Sequence, residues 1–572
     1  MRPSQILLLP ALLTFLVPAV AHAAAQDSAP VEPAVPAPPV PPPPGDAPGT
    51  PGTVPPMDLP PESVESVANA PAASDNSPLA TDGHPLAGYH NGLWYLRDPN
   101  DNFRLYIQGR AQIDAYSYLG PGVADTSLKP TMFLRRIRPE VTGELFHEWW
   151  FSIAGDFGAT GLDNVKGTAA GNTGDATKAP DPATGLSPQT TRYASAQSVR
   201  ISAAATDVFV NYRPVSYVNV QAGQFDAPFT MENRTSDKYF PFMERSLAVR
   251  AVGVPTNKEI GTMVWGETND RFFYYSVGLF NGEGQNRLAA DSRPELMSRV
   301  FFHPLVNVIH DSVMKDIQIG ASFRYGSKDK AFVEYDYPAL TTQGNYTFWS
   351  PSYKGAAGYT HIIPSGDQLG VGGELRVPVS MFDLTGEVVY IKNNTREAIE
   401  GYESTNTERL GDMSGYSYYA QLGFWPLGKR DIQGLPGYEN MPHVDFKKPD
   451  PVTPPRALQL LAKWEQVALS YASASRAGIA DAKNIDGDIK VNAFSLGANY
   501  WITKHVRLTA NYVLNMFPDS APTSVTTQGG PVQSSANRAI APGNALGKGV
   551  NDNARDNAHE VHEFLVRAAI AL

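Results

Sequence analysis

The residues of this chain best able to do chemistry are basic side chains at even spacings: Arg104 and Arg110, Arg136 and Arg138, then Arg324, Arg376, Lys463, Arg507 and Arg567. A guanidinium presents a planar fork of donors that meets two oxygens of a carboxylate or phosphate at once, and a lysine adds a mobile point charge. Spread along a wet passage, moderate sites of this kind hand an anion on, whereas a single tight one holds it. Acids share the same face, at Asp114, Glu140, Glu144, Asp156, Asp207, Glu374 and Glu387. The pattern therefore also reads as internal ion pairs that only set a field. Arg135 is out of step, because its parity puts it with Phe133 and Ile137 on the apolar face. An arginine at the bilayer midplane costs roughly 2–4 kcal/mol, so either a bulge turns Arg135 inward or it sits near a rim.

Other chemistries find little support. There is no cysteine, so neither a disulfide framework nor a thiolate metal site is available. Gly543-Asn544-Ala545-Leu546-Gly547-Lys548-Gly549 lacks the spacing and the Ser or Thr of a phosphate-binding loop. His559-Glu560-Val561-His562 puts its histidines on opposite faces of a strand, and Asn484-Ile485-Asp486-Gly487-Asp488 reads as a turn rather than a calcium loop. The eleven histidines are scattered and no Gly-x-Ser-x-Gly occurs. An outer-membrane hydrolase is a remote alternative, and no cofactor, metal or nucleic-acid partner is expected.

A scaffold of strands is what sets the basic residues on one side. From Arg104 to Asp114 the odd positions Leu105, Ile107, Gly109, Ala111 and Ile113 are apolar and the even ones polar. The same period of two returns at 149–157, 317–324, 494–500 and 506–512. Tight links at 213–216, 267–271, 379–381 and 502–505 take turns with long ones at 159–200, 227–257, 327–367, 393–413 and 517–558. Short turns on one rim and long loops on the other distinguish a transmembrane β-barrel from a soluble sandwich, with the turns facing the periplasm. About sixteen strands are expected, near 103–118, 131–145, 149–158, 201–212, 217–226, 258–267, 271–281, 294–303, 316–326, 368–378, 382–392, 414–426, 457–471, 491–501, 505–516 and 561–572. That number leaves an aqueous lumen. Tyr116, Tyr118, Phe133, Phe146, Trp149 and Tyr217 fit interfacial girdles against outer-membrane lipid. Segment 427–456, with Lys429, Arg430, Lys447 and Lys448, is too long for its rim; it is either a basic insertion into the lumen or a surface turn.

Residues 1–25 read as a secretory signal peptide, with Arg2, an apolar run from Ile6 to Val20 and small residues at Ala21-His22-Ala23-Ala24-Ala25. Residues 26–85 are rich in Pro, Ala and acids, including Pro41-Pro42-Pro43-Pro44, and read as a disordered periplasmic leader. This leader holds acids from Asp27 to Asp82 and no Lys or Arg, so the formal charge of −11 does not report the charge inside a pore. The barrel is assigned to 86–572.

Several segments together resemble the phosphate-selective porin O and P family. They are Gln108-Gly109-Arg110-Ala111-Gln112; Phe133-Leu134-Arg135-Arg136-Ile137-Arg138-Pro139-Glu140; Gly223-Gln224-Phe225-Asp226-Ala227-Pro228-Phe229 running to Phe242-Met243-Glu244-Arg245-Ser246-Leu247; and, later, Val277 to Gly282, Tyr418 to Gly423 and Leu508 to Val513. The resemblance implies a homotrimer of sixteen-stranded outer-membrane barrels passing small anions, phosphate or related oxyanions. It also implies that loop 227–257, with Glu232, Arg234, Ser236, Asp237 and Lys238, folds inward and narrows the pore. Matched to the family's motifs, Arg110, Arg135 and Arg136 take the place of constriction arginines and Ser236 with Lys238 that of loop ligands; Arg138 and Arg234 are counted with them in the lining of the pore and constriction. A general or sugar-type porin without a phosphate site is the alternative.

Overall fold

The computed structural model describes residues 79–119, 130–158, 203–215, 217–254, 257–289, 292–328, 340–344, 347–349, 352–355, 358–399, 409–438, 441–448, 455–475, 485–517, 526–527, 530–531 and 560–572. The expected signal peptide, most of the expected leader and the Gly543–Gly549 segment lie outside them.

Sixteen antiparallel strands close on themselves. They are β1 (Phe103–Leu119), β2 (Thr131–Leu145), β3 (Trp149–Asp156), β4 (Ala204–Val215), β5 (Val218–Asp226), β6 (Lys258–Glu267), β7 (Phe273–Phe280), β8 (Glu295–Phe302), β9 (Gln318–Lys328), β10 (Gly358–Val379), β11 (Phe382–Ile399), β12 (Arg409–Leu427), β13 (Ala457–Ser475), β14 (Ile485–Trp501), β15 (Val506–Met516) and β16 (Glu560–Ala571). Each pairs with its sequence neighbours, and β16 returns to β1 with Arg567 opposite Asp114 and Ile570 opposite Ala111. The expected strand count is met. Strands β10 to β14 run well past the nine to eleven residues that roughly suffice to cross a bilayer, which shortens the long-rim links: only 400–408 separates β11 from β12. The surplus ends are polar, as at Asn393, Asn394, Thr395 and Arg396, so they extend the wall where water is present.

Alternation along the strands produces a molecule with its apolar side outward. Ile107, Ile113, Ile153, Leu496, Leu508 and Val566 are exposed, while their neighbours Gln112, Asp114, Ser152, Ser495, Thr509 and Arg567 are buried. Hydrocarbon cannot bond a free N–H or C=O, and closure leaves none at an edge. Three aromatics expected in the girdle do not join it: Tyr116, Tyr118 and Phe133 are buried inside, while Phe146, Trp149 and Tyr217 are exposed. For Phe133 the cause is a bulge between β1 and β2. Gln112 pairs with Arg136 but Ile113 pairs with Leu134, so parity inverts beyond Arg135 and Phe133 packs edge-on to Tyr116 at 5.1 Å.

An unexpected hairpin, Ala87–His90 with Leu93–Arg97, adds to the seam at the short-turn rim. It pairs with β1 over Arg104 to Ile107, just beyond the last bonds that β16 makes there, at Gly109. Residues 79–85, assigned above to the leader, form a turn fastened to it: Asp82 receives Arg97 Nη2 at 2.6 Å. Buried Arg97 needs that carboxylate, which orders the last leader residues.

Two strand positions, Gly223 and Gly415, combine a positive φ with a close approach of the neighbouring strand that leaves no room for a Cβ. Gly223 in β5 has φ +132°, and a Cβ there would lie 2.2 Å from the Val208 carbonyl oxygen and 2.7 Å from Phe209 Cα on β4. Gly223→Ala is expected to destabilise the barrel by about 1–3 kcal/mol, read as a lower urea midpoint in detergent micelles. An unchanged midpoint would show that the strand relaxes freely.

Candidate functional site

The inward faces of β1 and β2 carry the predicted arginines in register, with Arg110 opposite Arg138 and Gln108 opposite Glu140. The bulge supplies the extra residue, Arg135, and turns it inward, which resolves its parity without a charge in lipid. Facing this wall is loop 227–257, whose apolar residues Phe229, Met231, Phe242, Met243 and Leu247 are almost wholly buried. The loop holds a short helix, α1 (Leu247–Val252), capped by Ser246 Oγ, which accepts from Val249 N.

Polar groups of the far wall fasten this loop. Glu387 on β11 accepts the N–H groups of Met231 and Glu232 at 2.6 and 2.8 Å. Glu465 on β13 accepts Leu247 N at 3.0 Å, and Asn511 on β15 accepts Met243 N at 2.8 Å. Carbonyls of Phe240, Pro241 and Ala248 receive donors from Arg507, Asn499 and Ser417. A buried loop must satisfy its backbone somewhere, and here these inward side chains of β11 to β15 do much of it. The loop is therefore part of the interior.

Two loop carboxylates gather the wall arginines. Asp237 lies 2.5 Å from Arg110, 2.8 Å from Arg136 and 2.7 Å from Arg138. Glu244 lies 2.9 Å from Arg135, 3.0 Å from Arg136 and 2.9 Å from Arg567. Arg138 also reaches Asp156 at 2.5 Å, and Lys238 reaches Glu140 at 3.1 Å and Gln108 at 3.3 Å. Arg234 donates to the Asp226 carbonyl, and Ser236 Oγ forms only a long 3.4 Å turn contact with Lys238 N. Burial alone would push the Asp237 and Glu244 carboxyls up, but the guanidiniums outweigh it and hold both well below the usual carboxylate range.

All seven predicted residues (Arg110, Arg135, Arg136, Arg138, Arg234, Ser236 and Lys238) line one cavity of ≈ 210 Å³ between this wall and the loop. Arg245 and Lys258 join them, against the acids Glu140, Asp207, Asp226 and Asp237, so cations outnumber anions two to one. Sequence reasoning missed Lys258, held by Asp207 at 2.6 Å, and the gathering role of Asp237 and Glu244. Two acids seven apart in a loop facing an arginine-rich strand were the available signal.

Segment 427–456 also reaches inward, from the opposite rim. Gly437 N donates to Thr235 Oγ1 at 2.8 Å, Gln433 to the Tyr239 carbonyl at 2.6 Å, and Val444 receives Arg104 at 3.0 Å. Arg430 pairs with Asp383 at 3.2 Å, and the Lys448 side chain is 76% exposed.

Residues 106–307 match the family model described as phosphate-selective porin O and P, the family the sequence resembles. Among solved structures, in-vitro folded OmpT of Vibrio cholerae is 10% identical, covering 83% of this chain and 98% of its own at a TM-score of 0.41. The outer membrane channel DcaP of Acinetobacter baumannii is also 10% identical, covering 85% and 100% at 0.40. An anion-selective porin from Comamonas acidovorans is 10% identical, covering 82% and 100% at 0.35. Likenesses at this level carry no inference about the solute. No curated protein matches.

Asp237 and Glu244 latch the loop to the wall arginines, and because their pKa values are depressed this latch is at full strength above the unfolded carboxyl pKa of about 4. It is lost only as pH falls through the lower folded values. Open-channel current noise in KCl is therefore expected to be the same at pH 7 and pH 4. Asp237→Asn, which leaves Arg110, Arg136 and Arg138 undercompensated, should raise that noise at both pH values and also raise anion preference. A wild-type channel whose noise grew between pH 5 and 4 would refute the latch.

Proposed function

We propose that this chain, an outer-membrane porin whose residues 106–307 match the phosphate-selective porin O and P model, lets small anions diffuse through the cavity between β1–β5 and loop 227–257, phosphate and related oxyanions among them. The observation that carries this reading is the two-to-one excess of cations on the cavity lining. The closed barrel with a basic interior cavity supports channel activity over catalysis.

Arg110, Arg135, Arg136, Arg138, Arg234, Ser236 and Lys238 line the passage in this proposal. Four of these arginines already hold carboxylates. An entering anion therefore shares donors instead of finding free ones, and binding stays weak enough for release. This favours small anions as a class over one tight phosphate site. Lys238 is the freest donor, since it is held only at 3.1 and 3.3 Å and an ammonium carries three hydrogens.

The belt of exposed Ile, Leu and Val meets outer-membrane lipid, and three copies associate through part of it. Residues 1–25 serve as signal peptide. The leader from residue 26 leaves the barrel at the short-turn rim, on the periplasmic side, because the hairpin that follows it docks there.

The test is a reversal potential in a planar bilayer under a KCl gradient, repeated with phosphate as competitor. Chloride preference is expected, and Lys238→Ala should lower the chloride-to-potassium permeability ratio by about twofold or more. Cation preference in the wild type would sink the proposal. Preference untouched by both Lys238→Ala and Arg136→Ala would sink the site assignment.

A further inference from the structure

A second cavity of ≈ 90 Å³ lies nearer the short-turn rim and shares Gln108, Arg110, Lys238 and Tyr239 with the first. These residues of β1 and the loop stand between the two chambers. The second chamber adds Arg507 from β15, Lys504 from the turn before it and Trp501 from the end of β14. Its lining contains no Asp or Glu side chain, whereas the first chamber has four.

Arg507 differs from the other wall arginines. It is 95% buried by its 5% exposure, donates Nη1 to the Phe240 carbonyl at 2.9 Å, and has no carboxylate at ion-pair distance among the described residues. A buried guanidinium ordinarily has an acid beside it, as Arg567 has Asp114 and Arg299 has Glu374. Lys504 is likewise held only by a carbonyl, that of Asn91, at 2.8 Å. Trp501 lies under Arg507 at 5.6 Å and stacks on Trp425. Leu93 and Ile432 contribute apolar surface to the same space.

We propose that this second chamber is a binding site for organic anions, taking a carboxylate attached to a ring-sized apolar body. Arg507 and Lys504 receive the carboxylate, which gives both the acidic partner they lack among the described residues. Trp501, Leu93 and Ile432 cover the ring and make the site prefer it to an equally charged hydrated ion. A molecule without an apolar body gains nothing from that side and passes on. The site rests on the reading of the pore as anion-conducting and names a solute class that the polar first chamber does not select.

The experiment uses the full-length mature barrel in a planar bilayer, with benzoate, acetate and phosphate each titrated against the KCl current. Chloride preference without added acid is the control, and its absence sinks the porin reading itself. Given that preference, benzoate should inhibit at concentrations well below acetate. Arg507→Gln should raise the half-inhibiting benzoate concentration by about tenfold, as expected for loss of one charge-assisted bond, while shifting phosphate inhibition, which it reaches only through the loop, severalfold less. Arg507→Lys should recover most of the affinity. If Arg507→Gln gives no heat-modifiable folded barrel, Lys504→Gln on the exposed turn carries the same test with a smaller shift in the same direction. Benzoate no stronger than acetate, or a variant that weakens benzoate and phosphate equally, would overturn the site while leaving the anion pore standing.

Discussion

Hydrocarbon offers no hydrogen-bond partner, so the first and last strands of a membrane sheet must find each other and leave no edge. Here the residues that meet across that seam also organise the interior. Arg567 on β16 stands opposite Asp114 on β1 and grips it with two bonds of 2.7 Å. The same guanidinium reaches Glu244 of the inward loop at 2.9 Å and the Met243 carbonyl. Closing the barrel and placing the constriction are therefore one event. A chain with the seam unpaired would also lose one of the three guanidiniums that hold Glu244.

The loop in turn decides what the wall arginines can do. Arginines clustered on one strand repel one another, and β2 alone places three within four residues. Asp237 and Glu244 make that density tolerable by standing between them. The buried pairs need not add net stability, because desolvation offsets much of their attraction. Removing one partner is nevertheless costly, since it strands a charge in low dielectric. The result is a cavity lined by more cations than acids, with several of its donors already engaged.

Much of this was legible in the sequence because a period of two is a strong signal when one side must be apolar. Ile107, Ile153, Leu496 and Val566 revealed the lipid face, and link lengths revealed the rims. Parity failed where a single bulge intervened. Arg135 and Phe133 could not both be placed by counting, since the extra residue inverts every position beyond it. The hairpin at 87–97 escaped notice because it is short and follows a Pro-rich stretch, and its ordering comes from Arg97, Asp82 and the ring of Phe446, which lie far apart in sequence. The site residues were recognisable as basic positions on one face, but their partners were not. Ion pairing across a lumen joins positions such as 136 and 244 that no local pattern relates.

The filled half of the barrel has a consequence for where selectivity can be set. Met243, Leu247, Ala251 and Val252 of the loop pack with Leu340 against Ile391, Met413, Leu469 and Val491 on the far strands, forming one apolar core. Water and ions have no place among these side chains, so the basic cavity lies to one side, against β1 to β5. Inward positions packed under the loop, such as Ile391 and Val491, consequently affect a solute only through the position of the loop. Enlarging Val491 or Ile391 would push the loop toward the arginines, and shrinking them would leave a void that the loop could settle into, because packed interiors respond to changes of a single methylene. The far wall acts as the backing that fixes the width of the passage, and the near wall supplies its charge.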